Sequence, residues 1–159
     1  MNNFNMMIDL AKNTTKTHYN ISINIPIEES NRLKTTNGYM EFKATTKGKK
    51  VVYTPIKIVV ASFLTEEEKF DTLLHEVAHY ITMILNPFKN ENHSNKWLDI
   101  FKTLGGSGEI YGVETAKPKY ILECPHCKEQ YNYFRMCKAV KNPSNYICSK
   151  CHKELNRVK

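Results

Sequence analysis

The residues that could do chemistry are His75-Glu76-Val77-Ala78-His79, which read H-E-x-x-H. On a helix, two histidines four positions apart lie about 40° apart around the axis, so both imidazoles can reach one metal ion. Glu76 projects to the flank of that pair, where a carboxylate can take a proton from a metal-bound water. Zinc sites that catalyse hydrolysis use three protein ligands and leave a fourth position to water. His93 is the first candidate for the third ligand, because it follows a short polar loop from which the chain can fold back; Glu91 is a rival. The chemistry expected is attack on a polarised carbonyl by a zinc-activated water, with Glu76 as general base. Tyr80 and Tyr111 are candidates to stabilise the oxyanion.

A second constellation lies near the C-terminus. Cys124-Pro125-His126-Cys127 is followed, after twenty residues, by Cys148-Ser149-Lys150-Cys151. Paired C-x-x-C knuckles at this separation match a structural zinc ribbon. Four thiolates close the coordination shell, so this second ion should supply folding energy rather than catalysis. A rubredoxin-like iron site is an alternative. Cys137 is left over and reads as a buried free thiol.

The elements that must position these groups are legible in part. Thr65 followed by Glu68 is a capping-box pattern, and Glu66, Glu67 and Glu68 suit the positive end of a helix dipole. Phe70, Leu74, Val77, Ile81, Ile84 and Leu85 then form one apolar stripe, with His75 and His79 on the far side. Asn86-Pro87 ends this helix. A second helix is expected over 94–104, with Ser94 as N-cap, Trp97 within it and Gly105-Gly106 at its close. Residues 105–118 read as a linker or loop.

Upstream, residues 4–12 suggest a short helix. Tyr19, Ile21, Ile23, Ile25 and Ile27 share one parity, as in a half-buried strand. Asn37-Gly38 is a turn signal. Residues 39–45 and 50–60 read as two strands around the Lys47-Gly48-Lys49 turn. The fold class expected is therefore α+β: a small antiparallel sheet packed on the H-E-x-x-H helix, with a C-terminal zinc ribbon. Residues 1–116 form the first domain and 117–159 the ribbon.

Charge separates the two parts. Residues 1–116 hold 13 basic and 13 acidic side chains, whereas 117–159 hold 10 and 3, so the whole net charge of +7 sits in the cysteine-bearing segment. That asymmetry points to an anionic partner, nucleic acid first, unless it is simply a solvated basic face. Tyr120, Tyr131, Tyr133, Phe134 and Tyr146 interleave with the basic residues and could stack unpaired bases. No apolar run approaches membrane-spanning length, and the first residues resemble no signal peptide. A cytoplasmic protein is the expectation, in which clustered cysteines argue for metal rather than disulfides.

The order of these parts resembles the SprT-like family of metalloproteases, which includes an enzyme of DNA–protein crosslink repair. The resemblance covers about residues 20–155 and rests on the H-E-x-x-H helix, on His93 with Trp97, and on the two knuckles. It implies a zinc-dependent protease acting on DNA-associated protein, with His75, His79 and His93 as ligands and Glu76 as acid/base. Two departures stand out. Family members often have Gly after the third histidine, where this chain has Ser94. Ribbon knuckles often have Gly after the second cysteine, where this chain has Lys128 and His152. Two readings of other kinds remain: a non-catalytic, zinc-stabilised nucleic-acid-binding protein, and a zinc hydrolase acting on a cell-wall or small peptide.

Overall fold

The computed structural model describes residues 3–109 and 116–159. The chain divides into two compact units, Met1–Thr115 and Ala116–Lys159.

The first unit opens with helix α1, Asn3–Tyr19, longer than the short helix expected over 4–12. Its second half, rich in Thr and Asn, has little intrinsic helix propensity, so packing extends it. Phe4, Ala11 and Thr15 are buried, and the Thr15 hydroxyl donates to the Ala11 carbonyl at 2.8 Å. Asn20 ends the helix at φ 55°, its N–H donating to the Lys16 carbonyl.

The strand expected from Tyr19 to Ile27 does not form: residues 20–26 have no ladder, and β1 is only Ile27–Ser30. The side-chain alternation is nonetheless present, with Ile21, Ile23 and Ile25 turned in and Ser22, Asn24 and Pro26 out. Alternation reports which side of an extended chain is covered, not whether the backbone has a partner.

Strands β2, Gly38–Lys47, and β3, Lys50–Ala61, form the expected hairpin, with Gly48 at φ 62° in its turn. The sheet order is β1-β3-β2. β2 runs antiparallel to β3, but β1 runs parallel to it, so the sheet is mixed rather than antiparallel throughout. The intervening β2 returns the chain to the direction of β1, which is why β1 and β3 run parallel. A register shift at Glu41/Phe42 leaves Ile56 as an extra residue on β3, and Pro55 sits beside it, where a missing N–H is tolerated. Ile58, Val59, Val60 and Ala61 are all buried, whereas Ile56 is exposed.

Helix α2, Glu66–Leu85, packs on this sheet and carries the complete capping box between Thr65 and Glu68. Leu74, Val77 and Ile81 enter the core, and Phe70 packs against it half-buried. Ile84 and Leu85, assigned to the same stripe, are exposed because the core stops at Ile81 and the last turn runs past it. Helix α3, Asn95–Thr103, is capped by Ser94, whose hydroxyl accepts the Trp97 N–H. Its C-terminus is a Schellman turn: Gly105, at φ 94°, donates to Lys102 and Gly106 to Phe101.

The second unit is a three-stranded antiparallel sheet in the order β5-β4-β6, with β4 Tyr120–Glu123, β5 Gln130–Tyr133 and β6 Asn156–Arg157. A one-turn helix α4, Lys138–Lys141, and a 3-10 turn, Pro143–Asn145, fill the connection between the knuckles. The knuckles fold alike: Lys128 N–H returns to the Cys124 carbonyl and His152 N–H to that of Cys148, both at 2.9 Å. Lys128 and His152 stand at φ 61° and 57°, in the left-handed region that favours glycine. Lys128→Gly and His152→Gly should therefore each stabilise the ribbon by about 0.5–1 kcal/mol. Chemical unfolding of the zinc-loaded protein checks this; a loss of stability would mean that the side chains outweigh the backbone cost.

Candidate metal centre

α2 carries His75 and His79, and the 86–94 connection brings His93 to them. That connection is tied down at several points. The Tyr53 N–H donates to the Pro87 carbonyl at 2.8 Å, and Glu91 accepts from Asn86 Nδ2 at 3.1 Å and from the Ser94 hydroxyl at 3.4 Å. His93 itself stands at φ 48°, a conformation few non-glycine residues adopt. His93 Nε2 lies 3.1 Å from His75 Nε2 and 3.2 Å from His79 Nε2. Three nitrogens bound to one tetrahedral zinc would stand about 3.3 Å apart, given Zn–N near 2.0–2.1 Å. The donor set fits zinc. Glu91, the rival ligand, is outside the cluster and spends its carboxylate on the loop and on Lys89.

The protonation states suit a metal. Burial, followed by the neighbouring His93, lowers His75 to about 4, and burial, followed by His75 and His93, lowers His79 to about 3. Burial also lowers His93. Neutral imidazoles keep their lone pairs available at ordinary pH.

Glu76 is 7% exposed. Desolvation raises its carboxyl to about 8, against the Met40 backbone N–H, which favours the charged form. It lines two cavities: one of about 170 Å³ with His79, Met40 and Asn92, and one of about 780 Å³ with His75, Gly38, Asp71 and Ser107. Asp71 holds the wall of the larger one, accepting from the Ser107 N–H at 2.7 Å and its hydroxyl at 2.9 Å. Gly38, read as part of a turn, is instead the first residue of β2 and lies against α2. A Cβ there would meet Thr72 Cγ2 at 2.7 Å, the Val59 carbonyl oxygen at 2.9 Å and Glu76 Cγ at 3.6 Å.

Tyr80 does not serve the site. It is buried elsewhere on α2, and its hydroxyl donates to the Ser22 carbonyl at 3.0 Å. It stands about 100° around the helix from His79, so a helical wheel separates the two. Tyr111 lies outside the described residues. Trp97 reads from sequence as a residue of the second helix and, with His93, as part of the resemblance; neither reading gives it a role at the site, yet it contacts all three imidazoles. No periodicity signal marks such a contact.

In the second unit Cys124, Cys127, Cys148 and Cys151 converge, with Sγ–Sγ distances of 3.3 Å for 124–151, 3.4 Å for 127–148 and 3.5 Å for 127–151. Zinc–sulfur bonds near 2.3 Å place tetrahedral sulfurs about 3.8 Å apart, so the thiols need open only slightly to hold an ion. The Tyr131 hydroxyl, 3.3 Å from Cys148 Sγ, is the main cause of that thiol's fall to about 6. Tyr131 also accepts the Ser149 N–H, so it braces the second knuckle. Cys137 is outside the cluster and half-buried rather than buried, packed against the ribbon core.

An H-E-x-x-H helix with a third histidine from the next loop, on a small sheet, defines a zincin-like domain. Residues 5–117 match the model of the SprT-like family, and the chain belongs to that family. No curated protein matches the chain, and no solved structure does.

The pKa shifts give a signed pH dependence for the metal-free protein. Between its ordinary 4.5 and about 8, Glu76 holds a proton when folded that it loses when unfolded. Its contribution to stability therefore falls with rising pH, by about 1.4 kcal/mol per unit. His75 and His79 are lowered from 6.5, so the unfolded chain takes their protons first and stability falls as pH drops below 6.5. Glu76→Gln should remove the alkaline decline. Urea unfolding in chelator should show the variant gaining on the wild type from about pH 5 to about pH 8; a constant gap would contradict the cause given for the shift.

Proposed function

We propose that the chain is a zinc-dependent metallopeptidase that hydrolyses peptide bonds of DNA-associated proteins. The observation that carries the catalytic part is the convergence of three neutral imidazoles beside a buried carboxyl that borders two cavities. Bound by His75, His79 and His93, zinc would supply Lewis acidity to the scissile carbonyl and acidity to a water. Glu76 takes the proton of that attacking water and passes it to the leaving amine. The nearby dication would favour its carboxylate form, against the effect of burial. The cavity of about 780 Å³ accommodates the substrate chain on the His75 side. Cys124, Cys127, Cys148 and Cys151 would hold a second zinc, which would tie the two knuckles together.

The substrate class rests on the ribbon. All ten of its Lys and Arg side chains are exposed, and Tyr146 is exposed among them. Tyr120, Tyr133 and Phe134 are half-buried and retain an accessible edge, whereas Tyr131 is committed to the Cys148 knuckle. A basic, aromatic-edged surface of this kind suits a nucleic acid backbone and unpaired bases. No helix is long and apolar enough to cross a membrane among the described residues.

The test is cleavage of a DNA-bound protein, with and without single-stranded DNA, by wild type and Glu76→Gln. The wild type should cleave and carry two zinc ions. The variant should keep both and lose at least about a hundredfold in rate. Full activity in Glu76→Gln would sink the assignment. Nucleic-acid binding without hydrolysis by the zinc-loaded wild type would favour the non-catalytic reading. DNA affinity should fall steeply with added salt; insensitivity to salt would remove the ribbon's proposed role.

A further inference from the structure

Among the described residues, the three imidazoles lack the support that metal-binding histidines ordinarily have. A ligating histidine usually donates its second ring N–H to a carboxylate or a carbonyl, which fixes the ring. Among the described residues, the only hydrogen-bond contacts of His75, His79 and His93 side chains are with one another. Their other close neighbour is Trp97. The indole stacks on His79 at 5.1 Å and 29°, and meets His75 and His93 edge to face, each at 4.6 Å. Phe101 backs it at 5.2 Å and closes on His75 at 5.5 Å.

Trp97 is also an expensive way to fill this space. It is fully buried, and among the described residues its Nε1 has no hydrogen-bond partner. An unpaired buried N–H opposes folding, and phenylalanine would fill much of the same volume without it. Stability alone therefore does not explain the indole. Its distinguishing property is a two-ring plane wide enough to touch three imidazoles at once.

We infer that Trp97 is a positioning residue: its indole is the platform that orients His75, His79 and His93 for one metal ion. This rests on the metal reading given above. It acts through the ligands and touches neither substrate nor the reacting atoms. The α3 cap serves the same end, since Ser94 accepts the Trp97 N–H one residue after His93.

The test compares Trp97→Phe with Leu104→Ala in the full chain. Leu104 is buried in the same core, just beyond α3, and is absent from the ring contacts. Co2+ bound at the histidines is read as the visible absorption that His79→Ala removes in each background. Trp97→Phe should unfold at no lower denaturant than wild type yet bind Co2+ about 10–100-fold more weakly. Leu104→Ala should unfold more easily and keep its affinity. Equal Co2+ affinity in Trp97→Phe and wild type would overturn the inference, as would equal losses in the two variants. A second measurement needs no metal at the histidines: nuclear Overhauser contacts in the presence of chelator. Contacts from the indole to all three imidazoles, with rotamer averaging of those rings in Trp97→Phe, support the platform. Averaged imidazoles in the wild type overturn it. Should the wild type show no Co2+ signal that depends on His79, the metal reading fails, and this second measurement decides the role of Trp97.

Discussion

His75 and His79 Nε2 both lie within 3.2 Å of His93 Nε2, and because like charges that close repel strongly, the cluster favours uncharged rings. Burial enforces that state, and burial has to be built. α2 is therefore enclosed on more than its apolar stripe. The sheet covers Leu74 and Val77, while α3 brings Trp97 and Phe101 to the opposite side, which the periodicity left open. The helix, whose sequence sets the histidines on the far side of its apolar stripe, is closer to a central element with a partly covered second face.

The two donor clusters are tuned by different forces. The histidines are made neutral by withdrawal from water. Among the cysteines, hydrogen bonds draw two towards thiolate: Cys124 chiefly by the Cys127 N–H, Cys148 chiefly by the Tyr131 hydroxyl. The other two are raised: Cys127 to about 12, where the Glu129 N–H is outweighed by the Cys148 thiol and burial, and Cys151, where the Lys153 N–H is outweighed by burial and the Cys124 thiol. Four thiols this close share their protons, and a bound dication would draw all four to thiolate.

The legible parts of the sequence were those whose signal is local. The capping box at Thr65, the Ser94 cap, the glycines after α3 and the 47–49 turn each depend on a few neighbouring residues, and each lies where its chemistry requires. Parity was legible over 21–27, but pairing was not, since pairing depends on a partner far along the chain. The parallel course of β1 escaped notice for the same reason. At the site, His75, Glu76 and His79 follow from helix geometry. The seating of His93 follows from loop contacts with Tyr53, Asn86 and Ser94, and the arrangement around Trp97 from packing; neither leaves a periodic trace. Lys128 and His152 are instructive exceptions. Their departure from the glycine often found in ribbon knuckles is visible in sequence, but the backbone cost becomes visible only as φ.

Gly38 brings the start of β2 so near α2 that a single added carbon would meet Thr72 Cγ2 at 2.7 Å, as well as the Val59 carbonyl oxygen of β3 at 2.9 Å, which cannot swing aside. Two residues along the same strand, the Met40 N–H faces Glu76 and favours its charged form. Strand and helix thus meet at Gly38 without a side chain from the strand between them, so the carboxyl that the proposed reaction needs is bordered by the hairpin as well as by its own helix.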